Sequence, residues 1–135
     1  MSSPRFNPRQ AVGHRLKVRG QTFDDMRVGK KVLLTWSRRW GEEMADALGA
    51  TGAPPPMMID SYWLRTVDSS QGGTTVAFAP LGAPGTVMLL EDLIACGAEQ
   101  IVGVGASGGL NPEHPVGDVL LPNVCRVIDE GTSGH

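Results

Sequence analysis

The sequence lacks the features that mark several large classes of protein. Its 135 residues include two cysteines, Cys96 and Cys125, which are too few for a disulfide framework. Both lie in apolar stretches, so we expect small buried hydrophobic side chains. No apolar run approaches the roughly 18 residues of a membrane span, and the first ten residues contain no hydrophobic signal core. We therefore expect a cytoplasmic protein that does not bind a membrane.

The sequence also lacks a strong net charge. The formal net charge is -2, whereas binding to nucleic acid usually requires a strong basic excess, so we expect no nucleic-acid partner. The basic residues are nevertheless concentrated in the first quarter of the chain, namely Arg5, Arg9, Arg15, Lys17, Arg19, Arg27, Lys30 and Lys31. This concentration indicates either a solvated basic arm or an arm from which one or two arginines help to hold an anion.

The pattern of apolar residues and turns predicts an α/β fold with a single domain over residues 1–135. Residues 1–30 are polar with little periodicity and are predicted to form an extended polar arm. Further along, the pattern predicts a strand at 31–36, a helix at 38–49, an antiparallel hairpin of 57–67 with 74–79, a helix at 86–96, a buried parallel-type strand at 100–104 and a strand at 119–127.

The apolar spacing also predicts which helix faces are buried. In the first helix, which Ser37 is expected to cap, the predicted core face consists of Trp40, Met44 and Leu48. In the second helix the predicted core residues are Val87, Leu89, Leu90, Leu93 and Ile94, with Glu91 and Asp92 left for solvent.

Glycine-rich segments flank the second helix. One is the turn 82–85, and the other is the loop 105–109, which follows the predicted strand 100–104. Ligands bind at the carboxyl ends of strands in open α/β sheets, where a glycine-rich loop offers backbone N–H groups to an anion. The loop does not match a dinucleotide fingerprint, since Asn111 and Pro112 follow in place of a helix, and it lacks the lysine of a P-loop. The pattern alone fits a structural turn as well as a binding loop.

Other reactive side chains form no recognisable constellation. Asp118, Asp129 and Glu130 fit solvated or capping roles better than a metal site. The three histidines, His14, His114 and His135, lack zinc-ligand spacing, and Ser107 lacks the flanking residues of a nucleophile elbow. We therefore predict no metal site.

The segment 81–135 resembles nucleoside phosphorylases of the purine-nucleoside and uridine phosphorylase type. The similar motifs, in order, are Leu81-Gly-Ala-Pro84, Glu91-Asp-Leu-Ile-Ala-Cys-Gly-Ala98, Gly103-Val-Gly-Ala-Ser-Gly-Gly-Leu110, Val116-Gly-Asp-Val-Leu-Leu-Pro122 and Asp129-Glu-Gly-Thr-Ser133. The resemblance implies a three-layer α/β/α fold with a mixed central sheet. It also implies a homo-oligomer, either a dimer or a trimer of dimers.

The resemblance further implies an enzyme of base salvage, a pentosyltransferase. Such an enzyme cleaves a nucleoside with phosphate to give a free base and a pentose 1-phosphate, and phosphate is a co-substrate with no other cofactor. By this resemblance Gly82, Gly105 and Ala106 belong to the phosphate site, and Ser107 and Gly108 line the substrate pocket.

The sequence departs from the family pattern at the phosphate site. Gly103 stands where the family has a phosphate-binding arginine, Ala106 replaces a threonine or serine, and the amino-terminal Gly-Asp-Pro-x-Arg loop is absent. Arg9 and Arg65 are the predicted substitutes, with Arg65 acting across a subunit interface. The alternative is a nucleosidase of the same fold, in which water replaces phosphate.

The family's catalytic residues, a ribose-binding glutamate and an acid that assists the departing base, belong to a carboxyl-terminal half. Because the segment 81–135 matches only the earlier part of the family pattern, we interpret the chain as a truncated, amino-terminal half of the domain. The non-enzymatic alternative is a module that binds a nucleoside without turnover.

Overall fold

The computed structural model describes residues 7–26, 28–50, 63–67, 72–109 and 111–124. In these ranges the helices are α1 (Pro8–Val18), α2 (Arg38–Leu48) and α3 (Ala83–Ala95), with a 3₁₀ turn at Phe23–Asp25, and the strands are β1 (Lys31–Thr35), β2 (Trp63–Val67), β3 (Thr74–Phe78) and β4 (Gln100–Val104). The predicted α/β class is confirmed. Within the described ranges, no helix has the length and apolar character needed to cross a membrane.

The four strands form one mixed sheet in the order β2-β3-β1-β4. β1 is parallel to both of its neighbours, so that Leu34 pairs with Ala77 on one side and with Gly103 on the other. β2 is antiparallel to β3, which confirms the predicted strand pair; residues 57–62 and 68–71 lie outside the described ranges. Because β1, β3 and β4 run in the same direction, their carboxyl ends lie together at one edge of the sheet, which we call the carboxyl edge.

Helices cover both faces of the sheet. Side chains alternate along each strand, and apolar residues on both faces pack against helices. Val32 and Leu34 of β1 belong to a core cluster with Leu16 of α1 and Leu89 of α3. Leu33, between them, faces a second cluster, which is centred on Ala45 of α2. The sheet therefore carries α1 and α3 on one face and α2 on the other.

The predicted extended arm is wrong over residues 8–18, which form helix α1. The Asn7 side chain accepts a hydrogen bond of 2.9 Å from the backbone N–H of Arg9, and Pro8 occupies the first turn, where it costs no intrahelical hydrogen bond. Val12 and Leu16 are 1% exposed. These two apolar residues, four apart on an otherwise polar helix, were too sparse to reveal the periodicity.

The predicted faces of the other helices are wrong in part. Trp40 is 36% exposed and Leu48 43%, and the buried residues of α2 are Gly41 and Ala45. Met44, the remaining predicted residue, is partly buried against the second cluster, as expected. In α3, Leu89 and Leu93 are buried as predicted, whereas Ile94 is 58% exposed.

Strand β4 lies where it was predicted but is not buried, since Val102 is 57% exposed. β4 is an edge strand of the described sheet, which explains its exposure. The strand predicted at 119–127 is absent over 119–124, where the backbone is irregular and exposed, and residues 125–127 lie outside the described ranges together with Cys125. Cys96 is a free, half-buried thiol, and its burial raises the pKa to about 11.

An ion pair that was not predicted joins α1 to α3. Nη2 of Arg15 donates to Oδ1 of Asp92 at 2.7 Å, and Asp92 is 4% exposed although it was expected to face solvent. Neither Oδ2 of Asp92 nor Nε of Arg15 has a hydrogen-bond partner. Burial raises the pKa of Asp92, and the nearby Arg15 lowers it by less.

We expect Arg15→Ala to lower the free energy of unfolding by about 2–3 kcal/mol at pH 7, because it leaves a buried carboxylate unpaired. A raised carboxyl pKa favours the folded state at low pH, and this contribution is lost as pH rises through the folded pKa. Without Arg15 the pKa of Asp92 rises further, so the loss of stability should shrink at about pH 4. Urea unfolding at both pH values measures this.

Lys17→Ala, at an exposed position of the same helix, is the control and should change stability little at either pH. Adding Asp92→Asn to Arg15→Ala should recover part of the loss, since no buried charge remains. A loss that is the same at both pH values would contradict the assigned role of Asp92.

Candidate functional site

At the carboxyl edge the connections that follow β1 and β3 diverge, and we call the place between the ends of these two strands the crevice. The chain leaves β1 into α2 on one face of the sheet, and it leaves β3 into α3 on the other face. Where neighbouring parallel strands connect to opposite faces, the loops diverge and leave a space in which α/β proteins bind ligands. This crevice is bordered by Trp36 and Ser37 after β1, by the 79–82 loop after β3 and, beyond β1, by the 105–109 loop after β4.

Gly82, a predicted phosphate residue, lies at this crevice as the N-cap of α3. Its φ of 98° is unfavourable for any residue with a Cβ, and no side chain caps the helix there. The backbone N–H groups of Ala83 and Gly85 therefore lack a side-chain cap. Pro84 has no N–H, so these two donors and the positive end of the helix dipole are what the first turn of α3 offers to an anion.

The other predicted glycine, Gly105, contacts an aromatic ring. An added Cβ at Gly105 would lie 3.2 Å from Cε3 of Trp36, and one at Gly103 would lie 3.3 Å from Cη2 of the same ring. These two glycines therefore leave room for the Trp36 indole to lie close to the backbone of β4 and of the residue after it. Ala106, Ser107 and Gly108 are exposed, and an added Cβ at Gly108 would meet nothing within 4 Å.

Trp36 also joins β1 to α3. Its Nε1 donates to Oγ1 of Thr86 at 3.0 Å, and that hydroxyl donates in turn to the carbonyl oxygen of Pro80 at 3.3 Å. The sequence pattern did not identify Trp36 and Thr86 as site residues. The available signal was a tryptophan at the end of a strand, together with two glycines at a spacing of two, which places both on one face of β4.

The structure does not bring Arg9 to the crevice. Nη1 of Arg9 donates to the carbonyl oxygen of Ala95 at 3.3 Å, and the guanidinium lies 4.6 Å from the Phe23 ring centroid. Ala95 ends α3 and Gly82 precedes it, so about 20 Å of helix separates Arg9 from the predicted phosphate loop. At this place Arg9 binds the carboxyl-terminal end of α3.

Arg65 lies in the middle of β2, paired in register with Val76. β3 separates this strand from β1, and Nη1 of Arg65 donates to the neighbouring Leu64 carbonyl at 3.2 Å. A single chain thus does not bring Arg65 to the carboxyl edge, and its role across a subunit interface stays a prediction.

Two other arginines do lie at the carboxyl edge. Arg38 and Arg39 form the first turn of α2, directly after Ser37, whose side chain accepts from the backbone N–H of Trp40 at 3.4 Å. Each arginine makes an exposed ion pair one turn along the helix, Arg38 with Glu42 at 3.1 Å and Arg39 with Glu43 at 2.8 Å. The Glu43 carboxylate raises the pKa of Arg39. Their position immediately after a predicted strand was the signal that could have identified them.

The described residues contain no group of three or more histidine, cysteine or acidic side chains that could hold a metal ion. Nδ1 of His114 lies 3.5 Å from Oδ2 of Asp118, and both side chains are exposed. Asp129, Glu130 and His135 lie outside the described ranges.

Comparison with known proteins supports the resemblance found in the sequence. No protein-family model matches the chain. A uridine phosphorylase of Thermococcus kodakarensis is 32% identical to it over 59 residues, which are 44% of this chain and 21% of the relative. The chain is thus similar to about a fifth of the length of that relative. The resemblance to nucleoside phosphorylases is confirmed as a distant and partial similarity.

We expect Thr86→Val to lower the free energy of unfolding by about 1–2 kcal/mol, because it leaves the part-buried Trp36 N–H without an acceptor. Valine keeps the shape of threonine, so packing should change little. Thr86→Ser keeps the hydroxyl and should stay within about 0.5 kcal/mol of wild type. Urea unfolding of both variants tests the contact; equal losses would show that the hydroxyl contributes nothing.

Proposed function

We propose that this chain contributes part of the active site of a nucleoside phosphorylase-like enzyme. In this reaction a phosphate oxygen forms a bond to the anomeric carbon of the sugar and the carbon–nitrogen bond breaks. The base leaves with the bonding electron pair and takes up a proton, and the products are a free base and a pentose 1-phosphate. The observation that carries the proposal is the similarity to uridine phosphorylase.

The crevice supports this reaction on physical grounds. The transition state has an oxocarbenium-like sugar, so the site must hold a phosphate anion beside it and keep it oriented. In the proposal, phosphate accepts hydrogen bonds from the backbone at the Gly82 end of α3 and from the 105–109 loop. Ser107 and Gly108 of that loop, which are exposed, line the substrate side.

Positive charge for the anion comes from Arg38 and Arg39 in this proposal. They lie at the carboxyl edge, whereas Arg9 and Arg65 lie elsewhere in the single chain. Exposed ion pairs at a spacing of four contribute little to stability, because water screens both charges. Both guanidinium groups can therefore leave Glu42 and Glu43 for a stronger, charge-assisted contact with phosphate.

A nucleosidase is the second candidate function, and the position of Trp36 favours it. The resemblance places a phosphate-binding arginine at position 103, where this chain has glycine with the uncharged Trp36 ring against it. A water nucleophile needs no cation on β4. The two functions share the sugar chemistry and differ in the acceptor.

The acceptor is tested by measuring base release from uridine and from inosine by the protein that contains this chain together with the rest of the proposed active site, with and without inorganic phosphate. We expect release that requires phosphate and yields pentose 1-phosphate, because phosphate is the nucleophile in the proposed reaction. Equal release without phosphate, with free pentose as product, would establish the nucleosidase. Thermal stabilisation by a nucleoside with no product would establish a binding module.

The arginine assignment is tested by four alanine variants. We expect Arg38→Ala or Arg39→Ala to raise the KM for phosphate roughly tenfold or more, the effect of losing one charge-assisted contact. Arg9→Ala should lower stability and leave this KM unchanged. Glu43→Gln, which frees Arg39, is a matched control and should not raise it. If Arg65→Ala raises the KM and the two α2 variants do not, the interface role of Arg65 replaces this assignment.

A further inference from the structure

The Trp36 side chain contacts both segments that flank β1 at the carboxyl edge, namely the first turn of α3 and the end of β4. It follows β1 directly, and β1 lies between β3 and β4 in the sheet. Its ring packs against the core cluster on the α1 and α3 face. A single residue at the centre of this edge can therefore fix the segments on either side of it.

The contact with β4 depends on two glycines. Added Cβ atoms at Gly103 and Gly105 would lie 3.3 and 3.2 Å from the six-membered ring of Trp36. Contacts this short force the ring or the backbone to move by a few tenths of an ångström. Neither glycine has a positive φ, so the backbone conformation does not require glycine there. The ring contact is the physical reason that remains.

The contact with α3 is polar. Trp36 donates to the Thr86 hydroxyl, which lies in the first turn of α3 and donates to the Pro80 carbonyl in the loop after β3. A hydroxyl has one proton, and here that proton and a lone pair are both used. The indole thus links the first turn of α3, which offers backbone N–H groups, to the end of β4.

We infer that Trp36 is a positioning residue, which holds the 105–109 loop and the first turn of α3 in the arrangement that binds substrate. The inference rests on the proposed function of this crevice, with either phosphate or water as acceptor. A glycine-rich loop has many conformations, and ordering it on binding weakens affinity. Fixing both ends of the crevice in advance removes part of that loss. Trp36 therefore acts on binding without itself touching the reacting atoms.

The first test needs no substrate. Trp36→Phe removes the N–H donor to Thr86 and replaces the six-membered ring of the indole, which lies against Gly103 and Gly105, with a shorter side chain. We expect faster amide hydrogen exchange at Thr86, whose N–H donates to the Gly82 carbonyl, and in β4, which pairs with β1, and unchanged exchange in α1. Trp40→Phe, at a partly exposed position of α2, is the matched control and should exchange like wild type. Unchanged exchange in both segments of Trp36→Phe overturns the inference, whatever the activity.

The second test uses kinetics with uridine or inosine as substrate. We expect Trp36→Phe and Gly103→Ala to raise the KM for the nucleoside roughly three- to tenfold with a smaller change in kcat, the effect of losing one hydrogen bond or contact. Gly13→Ala, in α1, is a matched control. Its added Cβ would lie 3.3 Å from the ring of Phe23, far from the crevice. It should leave the KM unchanged.

The outcomes separate this inference from the proposed function. Wild-type protein that neither releases base nor is stabilised by a nucleoside contradicts the proposed function, and the exchange experiment still decides whether Trp36 holds the two segments. Active wild-type protein with an unchanged KM in Trp36→Phe and Gly103→Ala overturns the positioning role, even if both variants melt at lower temperature.

In a Trp40→Phe/Trp63→Phe background, Trp36 fluorescence should also shift when the nucleoside binds.

Discussion

The parallel pairing of β1 with two neighbours is the constraint on which the site depends. Parallel strands cannot be joined by a tight turn, so each crossover brings a helix across a face of the sheet. Here α2 crosses on one face and α3 on the other, and α3 passes β1 to reach β4. The alternation of Val32, Leu33 and Leu34 makes both faces of β1 apolar and so allows this arrangement. The crevice between β1 and β3 follows from it.

The sequence was sufficient where local signals and tertiary packing agree. Ser37 caps α2, Gly49 ends it with a φ of 68°, and Gly97 follows α3 with a φ of 111°, all at predicted boundaries. It was insufficient where packing decides. α2 turns Ala45 and not Trp40 toward the sheet. No local rule indicates that Asp92 is buried, because its partner Arg15 is 77 residues away.

In the candidate site, too, local features could be predicted from the sequence and long-range contacts could not. The glycine positions were visible in the sequence, and Gly103 and Gly105 do allow a close approach. The sequence did not reveal that the Trp36 ring makes this approach at Gly103 and Gly105, because the contact requires the register of β1 with β4. Arg9 and Arg65 were predicted as substitutes for the phosphate-binding arginine of the family, with Arg65 acting across a subunit interface, whereas position at a strand end distinguishes Arg38 and Arg39.

Electrostatics at the start of α2 support an anion at this edge. The first turn of α2 carries no acidic residue and two arginines, which the positive end of the helix dipole opposes. The dipole makes this arrangement unfavourable, and the exposed pairs with Glu42 and Glu43 offset the cost only in part. A bound phosphate would make this arrangement favourable, because its negative charge interacts with the positive end of the helix dipole and with the two guanidinium groups. A local choice that folding does not favour is typical of residues retained for binding.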